Sequence, residues 1–399
     1  MGPAAAARVA IRSRLSTYGT PVRGCVRAYR STRTRSSSSS LSFSFLLFYL
    51  LPADGPAYGL NASGVDGGYE EAIFNTRALS IITNHPLPTP LYLYYALHTS
   101  CVGPHGLQAP ARFYDQLGFI KNEDRRKNHA MIMYMDRVVG NITTAIKARP
   151  GMWEKTLLVW SSDNGGAVHL GGGANAYPLR GGYENNWEGG VRVAALVNGG
   201  FLPAAMRGRK MEEPMHECDW YTTFAHLAGV DPHDAKAAAV TPVALPPVDS
   251  LNMWDLISGV NATSPRREWA MTPLGESIKA SAHGGDAAYM RWPYKLIVGH
   301  VQQSGWCGEV HPNNTLKWDS FKSIEHCNNT ATGKIGCLFN VVDDPGEHHD
   351  LALSQPDIAA DLLKRMQAAE KLWFDPDRGD PDPKACKAAA KSGYWGPFL

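Results

Sequence analysis

The sequence predicts an α/β fold followed by a smaller α+β part, and three stretches carry that expectation. Leu157-Leu-Val-Trp160 is an apolar run that passes directly into Ser161-Ser-Asp-Asn-Gly-Gly166, the pattern of a strand ending in a turn. A strand so apolar is expected to be buried on both faces. The span from about Asn128 to Ala148 sets Met131, Met135, Val138, Val139, Ile142 and Ile146 on one stripe at helical spacing. That is an amphipathic helix, and its methionines are expected in the core. Nearer the carboxyl end, Ala288-Tyr-Met-Arg291 and Tyr294 to Val298 read as short antiparallel strands, with a helix near 357–372 to cover them.

Along the chain, the first 53 residues hold eight arginines and no acidic residue, and Ser36 to Ser40 form an unbroken serine run. The apolar segment Leu41 to Leu51 follows, shorter than a full membrane span. Residues 1–58 are therefore expected to be a leader. It reads as a secretory signal or signal anchor with a long basic flank, as an organelle transit peptide, or as a segment translated from a mis-assigned start. Asn61, Asn141, Asn261, Asn313 and Asn328 each open an acceptor pattern for N-glycosylation, and collectively they favour the secretory route. Loss of the leader would remove Cys25 and leave six cysteines, among which Cys307 with Cys327 or Cys337 could staple one carboxyl-terminal loop.

Some conspicuous groups are expected to be structural. Asp343-Asp-Pro-Gly346 is turn chemistry, and His348 and His349 beside Glu347 precede the amphipathic run Ile358, Leu362, Leu363 and Met366, a place for capping or surface roles. His216 and Cys218 lack a ligand set, and Gly171-Gly-Gly173 follows no strand and opens no helix, so no nucleotide-binding fingerprint is present. The net charge of +2 selects no partner class, and nucleic acid is not expected as one. An apolar content of 44% is ample for a buried core.

The chemistry gathers at the end of the first stretch. Asp163 offers a carboxylate and Asn164 an amide carbonyl, hard oxygen donors suited to Ca²⁺ or Mg²⁺ rather than Zn²⁺. Gly165 and Gly166 let the backbone turn closely around them. By itself this string is an ordinary turn. The continuation, Tyr177-Pro-Leu-Arg-Gly-Gly-Tyr183 and Asn186-Trp-Glu-Gly-Gly-Val-Arg192, changes its meaning. Together these segments resemble the sulfatase family of the alkaline-phosphatase-like superfamily, most closely its arylsulfatase B branch.

The resemblance is colinear from about Gly68 onward. Glu71 to Asn84 looks like the family helix before a short strand, Leu91 to Leu97, and His105-Gly-Leu-Gln-Ala-Pro110 is similar to the family's His-x-Pro-Leu-Gln-x-Pro. Cys218-Asp-Trp220, Trp292-Pro-Tyr-Lys-Leu296, Leu338 to Leu351 and Gly393 to Pro397 keep the family order. The resemblance implies an α/β sandwich of the alkaline-phosphatase type lacking its amino-terminal strands, with a partial catalytic domain over 59–263 and an α+β subdomain over 264–399. It puts His105 near the sulfate and the leaving-group oxygen, and makes Asp163 and Asn164 ligands of Ca²⁺. The slot for the sulfate-holding lysine holds Tyr183, which brings no charge. Arg180 and Arg192, the nearby cations, are expected to pair around Glu188 and loop carbonyls.

Two family features are missing from the 399 residues. None of the seven cysteines opens a Cys-x-Pro-Ser-Arg motif, no serine version occurs, and no Asp-Asp pair follows an early strand. Two protein ligands against the roughly six to eight oxygens that calcium takes imply weak binding. The first expectation is a hydrolase of sulfate esters, plausibly on sulfated sugars, without turnover as the chain stands. The second is a non-catalytic relative that binds sulfated glycans or a partner chain. Phosphoryl transfer is disfavoured by the sulfatase-like Trp-Glu-Gly-Gly segment. The expected partner is a sulfated small molecule or glycan, with membrane contact only if the leader is kept as an anchor. The expected location is the secretory pathway, lysosomal, vacuolar or extracellular, with organelle transit as the alternative.

Overall fold

The computed structural model describes residues 46–47, 69–101, 106–169, 171–240, 245, 247–272, 274, 285–312, 323–328, 333–372 and 383–392. Its helices are α1 (Glu70–Asn84), α2 (Ala111–Tyr114), α3 (Glu123–Lys147), α4 (Glu188–Val191), α5 (Asp219–Leu227), α6 (Ala235–Val240), α7 (Trp254–Ser258), α8 (Pro356–Glu370) and α9 (Pro383–Ser392). The strands are β1 (Leu46–Leu47), β2 (Leu93–Tyr94), β3 (Leu158–Ser161), β4 (Ala195–Asn198), β5 (Glu268–Thr272), β6 (Asp286–Arg291), β7 (Tyr294–Gln302), β8 (Ile324–His326) and β9 (Cys337–Asn340).

Helix α3 begins a full turn earlier than its apolar stripe suggests. The side chain of Asn122 accepts the Arg125 N–H at 2.9 Å, and Glu123 and Asp124 fill the first turn. A cap and two acids at a helix amino terminus are favourable without any apolar residue. The stripe behaves as expected: Met131, Val138 and Ile146 are buried, with Met135, Val139 and Ile142 half-buried beside them. Ala130, Tyr134 and Val138 of this helix form one core cluster with Ala72, Phe113 and Leu117.

Strand β3 departs from expectation. It pairs antiparallel with β4, Leu158 opposite Asn198 and Ser161 opposite Ala195, and its apolar residues are only half-buried. Among the described residues β4 is the one strand paired with it. Leu196 of β4 is 47% exposed. Strands β1 and β2 form a short parallel pair, Leu46 opposite Leu93 and Leu47 opposite Tyr94, which brings part of the apolar segment Leu41 to Leu51 into a sheet.

The carboxyl-terminal sheet is antiparallel throughout, ordered β5-β6-β7-β8 with β9 also on β7. The predicted hairpin is β6–β7 and the predicted covering helix is α8. Alternation sorts the sheet's side chains into two layers. Tyr289, Leu296, Val298 and Leu338 pack against Leu362 and Met366 of α8, while Met290, Ile297, Val301 and Phe339 enclose Trp187 from the other side. Cys327 and Cys337 are disulfide-bonded. Cys307 is therefore not part of that staple; it is buried and free. The ten-residue separation closes a small loop between neighbouring strands, a pairing that cysteine spacing alone does not choose.

Candidate active site

The turn after β3 is built by its own side chains. Ser162 donates its N–H to the Ala194 carbonyl at 3.1 Å and its Oγ–H to the Asn164 carbonyl at 2.8 Å. Asp163 Oδ1 accepts the Asn164 N–H at 2.9 Å, and Asn164 Nδ2 donates to the Gly165 carbonyl at 3.0 Å. The Asp163 side chain is exposed and Asn164 is half-buried. Both stand where strand β3 gives out.

The two glycine pairs interlock. Gly165 donates its N–H to the Gly190 carbonyl at 2.8 Å, and a Cβ on Gly165 would lie 1.8 Å from the Gly189 carbonyl oxygen. A Cβ on Gly189 would lie 2.4 Å from the Arg180 carbonyl oxygen, and one on Gly190 would lie 2.2 Å from that of Asn185. Backbone meets backbone, so no side chain can yield. The Asp163-Asn164 turn therefore sits directly on α4, the Trp187-Glu-Gly-Gly segment.

Trp187 and Glu188 anchor α4 to the carboxyl-terminal sheet. Trp187 is fully buried; its Nε1–H donates to Ser304 Oγ at 3.0 Å, and its ring meets Phe339 edge-on at 5.6 Å. The Arg180 guanidinium lies 3.7 Å from the centre of the Trp187 ring and 4.4 Å from that of Trp306. Arg180 also donates to the Ser304 carbonyl at 2.7 Å and pairs with Glu325 at 3.0 Å. Its partners are thus loop carbonyls, as expected, but its acid is Glu325 and not Glu188. Arg192 is the cation beside Glu188, at 3.8 Å.

Beneath α4 lies a buried triad. Lys295 Nζ is 2.8 Å from Glu188 Oε1 and 2.6 Å from Glu347 Oε1, and donates to the Asn186 carbonyl at 2.9 Å. Glu347 in turn accepts the Glu188 N–H at 2.7 Å. One buried cation faces two buried carboxylates. Burial pushes the Glu347 carboxyl up to about 7 against the pull of Lys295, and the Glu188 charge adds to the rise. The same two carboxylates hold the Lys295 ammonium above its ordinary value despite burial.

A second buried pin flanks the site. Asp219 at the start of α5 receives a two-pronged contact from Arg266, at 2.7 Å from Nε and 2.5 Å from Nη2. It also accepts the N–H groups of His216 and Leu251, each at 2.8 Å. That four-fold use explains the acid of the Cys218-Asp-Trp220 segment as structural. His216 Nδ1 lies 3.2 Å from Cys218 Sγ, and burial pushes the Cys218 thiol up to about 11. Neighbouring Glu217 is also raised, first by burial and then by the charge of Asp163, and so is Cys101. Those two groups border Asp163 electrostatically.

A sulfatase family model matches residues 28–230, about half of the chain. The chain belongs to the sulfatase family. Mouse arylsulfatase J is 30% identical over 346 residues, covering 84% of this chain and 54% of its own length. Mouse steryl-sulfatase is 32% identical over 350 residues, with 84% and 48% covered. The chain thus spans about half the length of the curated relatives it matches. Among solved structures, Ps i-CgsB in complex with k-i-k-neocarrahexaose superposes with a TM-score of 0.56 at 25% identity, covering 80% of this chain and 59% of that one. These similarities support an alkaline-phosphatase-like sulfatase fold, and arylsulfatases of types other than B stand among the relatives.

His105 lies outside the described residues, as do Asn61 and Asn313. Asp163 and Asn164 lie adjacent, their donors at one strand end. Among the described residues no cluster of three or more His, Cys, Asp or Glu gathers that could hold a metal ion. An exposed carboxylate and one amide carbonyl do not make a calcium cage. Tyr183, in the lysine slot, is half-buried with its N–H on the Gly166 carbonyl at 3.0 Å. Asn261 and Asn328 are exposed, whereas Asn141 lies within α3 and its amide donates to Asn75 Oδ1 at 2.9 Å.

His348 and His349 are exposed, and their N–H groups are received by the Asp344 carboxylate at 3.1 and 2.8 Å. That is the turn expected of Asp343-Asp-Pro-Gly346. Gly173, at positive φ, packs where a Cβ would lie 2.3 Å from the Asp124 carbonyl oxygen, which accounts for a Gly-rich run without a nucleotide. The residues that sequence reasoning passed over are Lys295, Glu347 and Glu217. Lys295 carried a readable signal, a lysine on the same face of its strand as Ile297.

Proposed function

We propose that this chain carries part of a hydrolase of sulfate esters of the arylsulfatase type, acting on sulfated sugars. The observation that supports it best is the interlock of the Asp163-Asn164 turn with α4, which presents oxygen donors at the end of β3 on a backbone cradle with no room for side chains. The complex of Ps i-CgsB with k-i-k-neocarrahexaose favours a carbohydrate over a small aryl ester. In this reading His105 serves the leaving-group oxygen, and Asp163 and Asn164 contribute two oxygens toward a calcium ion. Such an ion would neutralise sulfate charge and orient a nucleophile. The residues present do not complete its shell, so no step is assigned to it. The arylsulfatase B branch, the domains 59–263 and 264–399, and a secretory route with glycans on the exposed Asn261 and Asn328 belong to the same proposal.

The polypeptide of 399 residues contains no formylglycine motif, and without a nucleophile it should release no sulfate from p-nitrocatechol sulfate above a heat-denatured control. Turnover that survives repurification and is abolished by Asp163→Ala would overturn this. A mobility shift on glycosidase treatment of the secreted protein checks the route. An unshifted band on cytosolic protein would contradict it.

A further inference from the structure

Near the end of β7, away from the buried triad, two exposed histidines stand directly opposite each other. His300 of β7 and His326 of β8 are register partners, both are exposed, and their Nδ1 atoms are 2.8 Å apart. We infer that this cross-strand pair is a binding site for a divalent transition-metal ion of the Cu²⁺ and Ni²⁺ class, held by the two Nδ1 atoms and completed by water.

Imidazole nitrogens bind such ions at about 2.0 Å, so two of them on adjacent corners of a square lie about 2.9 Å apart and on a tetrahedron about 3.3 Å apart. The observed separation matches the square, the geometry of Cu²⁺ and Ni²⁺. Without metal, one Nδ1 must carry the proton that the other accepts. When an ion takes that position the proton moves to the same ring's Nε2 through solvent, which exposure of both rings permits. Each ring stays neutral and no other group has to ionise.

The scaffold holds the pair in place. His326 is followed by Cys327, which is bonded to Cys337 of β9, and Cys337 is itself the register partner of Ile297 on β7. Strand β8 is thus tied to β7 directly and through β9. Sites carried on strands locked in this way hold their geometry better than sites on loops. Among the described residues no third His, Cys, Asp or Glu joins the pair. The adjacent Glu325 is committed elsewhere, paired with Arg180 at 3.0 Å.

Calorimetric titration of the full chain with Ni²⁺ tests the site. One saturable equivalent is expected, weakened at least about tenfold by His300→Gln and by His326→Gln, since loss of a ligand costs no less than loss of an outer-shell partner. The double variant His348→Gln/His349→Gln should bind as the parent does. Electron paramagnetic resonance of Cu²⁺ on thiol-alkylated parent protein should show two imidazole nitrogens in the plane. Unchanged Ni²⁺ affinity in either single variant, no uptake by the parent, or a Cu²⁺ spectrum with one nitrogen or none would overturn the inference.

Discussion

Glu347 is enclosed with a second acid and one cation, and that imbalance sets how the protein responds to pH. Its carboxyl titrates near 4.5 when unperturbed and at about 7 in the fold, so between those values the native state binds the extra proton. Stability therefore falls as pH rises through that window. A tenfold change in proton affinity is worth about 1.4 kcal/mol, which makes the loss a few kcal/mol. The raised Lys295 acts in the same direction but in a higher window: its contribution is intact up to its ordinary value of 10.5 and is lost only above it. Denaturant unfolding of the parent should show greater stability at pH 5 than at pH 8, and Glu347→Gln should flatten the difference. A parent curve level across that range would refute the assignment. The cluster was not legible in sequence, because Glu188, Lys295 and Glu347 lie far apart along the chain and only the fold brings them together. The place of Asp163 and Asn164 at a strand end was legible, because an apolar run stopping at an Asp-Asn pair is a local pattern. By itself that pattern reads as a turn, and only the resemblance makes it a ligand pair.

At the scale of elements, local signals served well where periodicity and burial agree. The stripe of α3, the β6–β7 hairpin and the covering helix α8 follow from spacing of 3.6 or 2 residues. Composition misled at β3, because a run of Leu, Val and Trp states what a strand could bury and not what covers it. The same mismatch makes β4 a liability. Leu196 is 47% exposed on a strand that has β3 alone beside it among the described residues. Exposed apolar strands promote association. Light scattering of the purified chain should show concentration-dependent growth, reduced by Leu196→Lys. Equal growth in both proteins would exclude this surface as the cause.

Across the whole molecule, contacts distant in sequence join the halves: Lys295 to Glu188 and Glu347, Arg266 to Asp219, and Trp187 within the sheet core. Removing the buried cation of such a charge cluster leaves its partners uncompensated, at a cost of about 3–5 kcal/mol. Lys295→Ala should therefore destabilise the fold by that amount in denaturant unfolding, and both the α3 region and the carboxyl-terminal sheet should lose amide protection together. Loss confined to the sheet would show that the triad does not couple the two. The order of motifs was legible from the sequence, whereas the contacts that join them, distant along the chain, were not.

The interlocked glycines also constrain how this architecture can be re-engineered. The Gly165-Gly166 turn and the Gly189-Gly190 step of α4 come from separate segments, but they meet backbone to backbone at Gly165, where there is no space for a side chain. Loop grafting between homologues must therefore move the two segments as one cassette. A chimera that exchanges either turn alone inherits a mismatched half, however similar the two parent sequences are.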